Sequence, residues 1–184
     1  CPWCGKEGKV SVTGEAGTCG CFVCGWKGNA LEFLRRLHAE SDKASNGDAD
    51  ALAAERGLLD PFTVRAWGVC RSVLTGDWLV PGYDCERRLR TLYRWAGPGK
   101  VLYPTPTMGL WPFMPVGWDP SKPEIAVAEG PWDCMILWEA LRASKPAGDG
   151  LASTASEAAS LLAKVNVLAV PGCGSVGEPF KRWL

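Results

Sequence analysis

The chain has 184 residues, with 20 Lys and Arg against 20 Asp and Glu, 47% hydrophobic and 22% charged residues. These values exclude wholesale disorder, a collagen-like repeat and a uniformly basic chain. At about 150 residues per domain the length is one or two domains.

No apolar run nears the roughly 18 to 20 residues of a membrane span, and no basic-then-apolar leader opens the chain, so a cytoplasmic protein without membrane contact is expected. The chain opens at Cys1 without an initiator Met, as a trimmed fragment does. Charge is uneven: residues 69–110 carry six Lys and Arg against three acids, and residues 124–160 carry two against six.

Five of the nine cysteines fall within the first 24 residues. Clustering, an odd total and no secretion signal argue for metal rather than a disulfide framework. Cys1-Pro2-Trp3-Cys4-Gly5 and Cys21-Phe22-Val23-Cys24-Gly25 are two C-x2-C half-sites, each followed by Gly. Two thiolates three positions apart grip one Zn²⁺ only if the chain turns tightly, and Gly permits that turn. Lys9 to Val12, flanked by Gly8, Gly14 and Gly17, reads as a hairpin between the knuckles. The segment is predicted to be a zinc ribbon with Cys1, Cys4, Cys21 and Cys24 as ligands of a structural Zn²⁺ and Cys19 left as a spare thiol.

A helix is predicted from Gly28-Asn29, with Asn29 as N-cap, Glu32 completing a capping box and Leu31, Leu34 and Leu37 on one face that packs on the ribbon. His38 near its end reads as a surface residue. Ser41 to Asp50 has linker composition.

Beyond it come a short helix over Ala51 to Arg56 ending at Gly57, a second helix starting at Asp60-Pro61, and strands over Trp67 to Val73, Asp77 to Pro81, Leu89 to Trp95 and Val101 to Tyr103. A buried-type strand over Glu124 to Ala128, a helix through Leu141, a helix over Ser156 to Lys164 and a buried strand over Val165 to Val170 then give α/β order. The expected class is α/β, α+β overall: a ribbon over 1–40, a linker over 41–50, a small mixed β subdomain over 51–123 and an incomplete α/β unit over 124–184.

In an open α/β sheet ligands bind beyond the carboxyl ends of the strands. Glu129 lies there, and Asp133 follows one turn into the next helix. Such a pair suits Mg²⁺ or Mn²⁺ clamping phosphates, or a general base; the bland alternative is a helix-capping Asp133 and a solvated Glu129. Gly172-Cys173-Gly174-Ser175-Val176-Gly177 matches the G-x-G-x-x-G dinucleotide fingerprint. Its place on a late strand, Pro179 close behind it and the missing acid about 20 residues on argue against that use.

Three segments together resemble the TOPRIM-type DNA primases of bacteria and phages, including phage primase-helicases. CPWCG through CFVCGWKGNALEFL is similar to the primase zinc-binding domain. LAAERGLLDPFTVRAWGV, WLVPGYDCERRLRTLYRW and GPGKVLYPTP are similar to the amino-terminal polymerase subdomain. EIAVAEGPWDCMILWEAL followed by VLAVPGCGS looks like the opening of a TOPRIM fold, with its E-G-x-x-D signature.

The resemblance implies synthesis of short RNA primers on single-stranded DNA from NTPs with Mg²⁺ or Mn²⁺, and a replicative helicase in trans or as a fused C-terminal domain. It makes Glu129 the acidic metal or base residue and Asp133 its partner. Arg94 and Lys100, with Arg88 and Arg90 of the same basic stretch, would hold template or triphosphate. Phe22, Trp26 and Lys27 of the ribbon would contact template; packing within the ribbon is the alternative for the two rings.

The family's D-x-D carboxylates have no match at a usable place, because Asp48-Ala49-Asp50 falls in the expected linker. A truncated chain, inactive by itself, is therefore expected. The alternatives are a catalytically incomplete module that binds single-stranded DNA, and a TOPRIM nuclease or topoisomerase relative.

Overall fold

The computed structural model describes residues 1–14, 17–45, 47–58, 60–97, 101–102, 110–143 and 163–171. The chain is mixed α and β, with small sheets and four helices among the described residues. An N-terminal antiparallel sheet contains β1 (Val10–Thr13), β2 (Thr18–Cys21) and β3 (Lys27–Asn29) in the order β1-β2-β3. The hairpin matches expectation. The third strand does not, because Lys-Gly-Asn has little strand propensity and is held by pairing Cys19 with Gly28.

The helix α1 (Ala30–Ala44) begins at the capping box read from the sequence: Glu32 N–H donates to Asn29 Oδ1 at 2.9 Å, and Asn29 N–H donates to Glu32 Oε2 at 2.7 Å. It runs through most of the first half of the expected linker, and α2 (Asp48–Arg56) occupies the end of it. That correction has a physical reason. Ser41 is fully buried and its hydroxyl accepts the Val73 N–H at 3.2 Å, while the Ser45 hydroxyl accepts the Arg71 N–H at 2.8 Å. His38 is not a plain surface residue either, since it is half-buried with Nε2 2.7 Å from the Gly68 carbonyl.

Gly57 closes α2 in the left-handed conformation, and Asp60 caps α3 (Pro61–Ala66) through the Phe62 N–H at 2.8 Å, both as predicted. The first strand of the next sheet is shorter than expected: Trp67 is the C-cap of α3, and β4 is only Cys70–Arg71. With β5 (Trp78–Tyr83), β6 (Leu89–Trp95) and β7 (Val101–Leu102) it forms an antiparallel sheet in sequence order.

Alternation divides this sheet. Leu79 and Leu92 pack with Cys70 against Leu37 of α1, while Val80, Tyr93 and Trp95 join Leu52, Val64 and Trp67 in the main core. The final unit is β8 (Glu124–Glu129), α4 (Pro131–Ala143) and β9 (Val165–Val170), with β8 and β9 parallel and in register from Glu124↔Val165 to Glu129↔Val170. Cys134, Met135, Val167 and Ala169 share the main core with the antiparallel sheet.

The segment at 111–114 ties the two sheets together. Tyr83 N–H donates to the Pro112 carbonyl at 2.9 Å, and Phe113 exchanges two hydrogen bonds with Ala169 at 2.9 and 3.0 Å. β8 is less buried than its apolar run implied: Ala126 and Ala128 meet the core, but Ile125 and Val127 are 38% and 49% exposed. The expected helix over Ser156 to Lys164 and the glycine motif over Gly172 to Gly177 lie largely or wholly outside the described residues. Among those residues no helix is long and apolar enough to cross a membrane.

Candidate metal centre and functional site

Two equivalent turns build the cysteine cluster. Gly5 N–H donates to the Cys1 carbonyl at 2.9 Å and Gly25 N–H to the Cys21 carbonyl at 3.0 Å, with φ of +68° and +72° at the two glycines. A side chain at either position strains the left-handed backbone that folds each pair of thiols toward the other. The Sγ atoms of Cys1 and Cys24 are 3.8 Å apart, those of Cys4 and Cys21 3.7 Å, and all four lie within 4.8 Å of one another.

These separations are far beyond a disulfide of about 2.05 Å. They match a tetrahedron of metal–sulfur bonds about 2.3 Å long, whose edges are about 3.8 Å. The backbone of Cys24, and to a lesser degree the Val23 N–H 3.4 Å from Sγ, pull the Cys21 thiol down to about 7 against the opposing effect of burial. A group of this geometry and donor type can hold a metal ion such as zinc. Cys19 stands outside it on β2, with Sγ donating to the Gly28 carbonyl at 3.3 Å.

Trp26 packs edge-on against Trp3 and Phe33, with centroids 6.2 and 5.8 Å away, and Trp3 meets Phe33 at 5.4 Å. These three rings are the apolar core of the module, so Trp26 is committed to packing. Phe22 differs: it is 80% exposed at the tip of the second knuckle, beside Val23. Lys27 is exposed and lines an open groove of about 510 Å³ with Ser11, Thr13 and Thr18.

The basic residues of the antiparallel sheet are engaged in different ways. Arg88 pairs with Asp84 at 2.9 Å and with Glu86 at 2.6 Å. Against burial, which raises it, the Arg88 backbone and guanidinium together pull the Asp84 carboxyl below its ordinary value. Arg94 Nε meets Asp77 at 3.0 Å, and the Arg90 guanidinium lies 5.0 Å from the Trp111 ring centre. Lys100 lies outside the described residues.

At the carboxyl end of β8 the chain turns at Gly130, whose N–H donates to the Val170 carbonyl at 2.8 Å. Glu129 ends the strand and Asp133 occupies the first turn of α4, where the helix dipole favours an acid. Both are exposed, and Asp133 Oδ2 lies 4.0 Å from where a Cβ on Gly130 would stand. The two carboxylates thus flank one turn at the strand end. Among the described residues, the cysteine cluster is the one group of three or more metal-ligand side chains within reach of a single ion.

Arg56 was legible in the sequence only as the last residue of a helix. Its guanidinium lies 3.9 Å from the Trp95 ring centre and 4.5 Å from that of Trp132, a clamp that joins α2 to the start of α4. Burial lowers its pKa, and it forms no ion pair among the described residues. Neither its spacing nor its neighbours in sequence signal two indoles drawn from positions 39 and 76 residues away. Comparison with models of known protein families, with curated proteins and with solved structures finds no match for this chain.

Proposed function

We propose that this chain belongs to a DNA primase, an enzyme that makes short RNA primers on single-stranded DNA from NTPs. The observation that carries the reading is a combination: a four-thiol module mounted by α1 on an antiparallel sheet, joined through a shared core to a parallel strand–helix–strand unit ending its first strand in Glu129-Gly130, with Asp133 a turn beyond. Cys1, Cys4, Cys21 and Cys24 hold a structural Zn²⁺ that fixes a module too small to fold by burial alone. Glu129 and Asp133 would hold Mg²⁺ or Mn²⁺, which takes few protein ligands and suits a site completed by NTP phosphates. When bound, such an ion would neutralise charge developing at the α-phosphate as the nucleotidyl group is transferred and pyrophosphate leaves.

Around it the protein positions the strand and the nucleotide. The primase reading gives Arg88, Arg90, Arg94 and Lys100 phosphates to hold, Arg88 and Arg94 by exchange with Asp84, Glu86 and Asp77, and Phe22 and Lys27 offer a ring face and a cation to the template. A replicative helicase, in trans or fused, supplies the single strand. The test is primer synthesis by the natural protein on single-stranded DNA with NTPs and Mg²⁺ or Mn²⁺. Glu129→Gln is expected to lower incorporation at least about a hundredfold while leaving zinc content intact. Synthesis at the unsubstituted rate by Glu129→Gln sinks the assigned role.

The exposure of Phe22 favours one second reading, a module that holds single-stranded DNA without chemistry. Salt-sensitive binding with no incorporation under any divalent ion selects it, and metal-dependent cleavage of DNA selects a TOPRIM nuclease or topoisomerase instead.

A further inference from the structure

The cysteine module has no hinge beneath it. β3 ends at Asn29 and α1 begins at Ala30, so the helix leaves the ribbon with no connecting residue between them. Relative motion is the ordinary state of two units joined by an exposed linker, and a helix that runs from one onto the core of the other suppresses it.

One side of α1 is fastened to the body at every turn. Arg35 Nε donates to the Leu89 carbonyl at 3.4 Å, and His38 Nε2 lies 2.7 Å from the Gly68 carbonyl. Further along, the Ser41 and Ser45 hydroxyls accept the Val73 and Arg71 N–H groups. Positions 35, 38, 41 and 45 recur at helical spacing, so all four attachments lie on one side of the helix. Gly68 permits the close approach: a Cβ there would stand 2.8 Å from the Tyr83 hydroxyl and 3.6 Å from His38 Nε2.

Apolar contacts carry the attachment on toward the acidic turn. Trp3, the neighbour of Cys4, and Phe33 pack against the cluster of Leu37, Cys70, Leu79 and Leu92, and Leu89 packs against the same cluster. Leu89 also packs against a second cluster, formed by Tyr83, Met114, Leu168 and Val170. Among the described residues it is the side chain the two clusters share. Val170 is the register partner of Glu129, and its carbonyl accepts the Gly130 N–H at 2.8 Å. By strand alternation Glu129 lies on the face of the parallel pair that carries Leu168 and Val170, which is the face of this second cluster.

We propose that the cysteine module is fixed on the side of its own chain where Glu129 emerges, so that the module and the acidic pair of one chain work as a single unit in cis. A second copy of the chain is not needed to bring a module to the site. That the acidic pair acts on nucleotides rests on the primase reading; the fixed seat of the module does not.

The seat is tested by NMR on the natural protein with labelled Leu and Val methyl groups, comparing its Zn²⁺ form with one holding paramagnetic Co²⁺, which thiolate sites of this kind also accept. A fixed module is expected to displace the Leu89, Leu168 and Val170 methyl signals in a pattern that one position of the ion explains. A flexible Gly-Ser-Gly-Ser insertion between Asn29 and Ala30 is expected to shrink the displacements at Leu168 and Val170 at least about twofold, because a moving module averages them. Should the inserted protein fail to fold, the natural protein decides alone: displacements averaged to nothing at Leu168 and Val170 overturn the seat, as does a pattern the insertion leaves intact.

The cis arrangement is tested by mixing. Cys21→Ser protein keeps the acidic pair and Glu129→Gln protein keeps the module; together on single-stranded DNA with NTPs and Mg²⁺ they are expected to incorporate no more than the sum of the two alone. Incorporation beyond that sum overturns the cis arrangement. Fixed-module displacements in a natural protein that makes no primers overturn the primase reading and leave the seat standing; primer synthesis with averaged displacements does the reverse.

Discussion

The N-terminal module and the body of the protein reach order by different means. In the module all four residues of β1 are exposed, and its apolar packing reduces to Trp3, Trp26 and Phe33. Its other strength lies in four thiols within 4.8 Å of one another. In the body, Trp67, Tyr93, Phe113, Leu52 and Met135 are almost wholly removed from water and belong to one core that spans the four-stranded antiparallel sheet and the parallel β8–β9 pair. A short segment with little to bury depends on a few strong bonds, whereas a longer one spreads its stability over many weak contacts.

The largest effect that sharpens this contrast is loss of metal. Cys21→Ser is expected to abolish metal binding and unfold the module while the body stays folded, since a structural zinc site contributes about 10 kcal/mol or more. Metal analysis with limited proteolysis reads both halves, and Cys19→Ser, which keeps a donor for the Gly28 carbonyl, retains one metal per chain. A body that unfolds together with the module in Cys21→Ser breaks the contrast.

The reciprocal substitution, Trp67→Ala, leaves a cavity in the core and is expected to cost about 3 to 5 kcal/mol in denaturant unfolding with metal still bound.

Asp84 tests a single charged turn within the body. Its carboxyl is held below the ordinary value in the folded state, so its contribution is present above about pH 4, the unfolded-state value, and is lost as pH falls through the depressed folded value. Asp84→Asn is expected to cost about 1 to 2 kcal/mol at neutral pH and to flatten the acid side of the stability curve of the body. A curve as steep as that of the unsubstituted protein contradicts it.

The smallest expected effect is Asn29→Ala, which removes one arm of the capping box for about 1 kcal/mol, seen as fraying of α1 by amide exchange.

The clustering of the four cysteines, the capping box, the Gly57 and Asp60 caps and the parallel β8–α4–β9 order were legible because each depends on residues close in sequence or on a strong period. What escaped depends on partners far away. Ser41 and Ser45 have the composition of a linker, yet their hydroxyls accept backbone N–H groups of Val73 and Arg71. Lys27 to Asn29 become a strand only because β2 lies alongside. Trp26, chosen as a ring for stacking on bases, packs among the module's own rings. The clamp on Arg56 and the bulge at Arg90 are tertiary facts with no local signature. The acidic pair was legible as a strand-end motif, and the structure leaves Glu129 and Asp133 flanking the Gly130 turn.

The 15 residues of α1 form one uninterrupted rod of about 22 Å between the cysteine module and the sheet that supports it. Its length behaves as a ruler graduated in residues. One added residue would advance the cysteine cluster by only about 1.5 Å but swing it through about 100° around the helix axis. Small changes of length are therefore changes of direction, and only insertions near whole turns keep the module facing the same way.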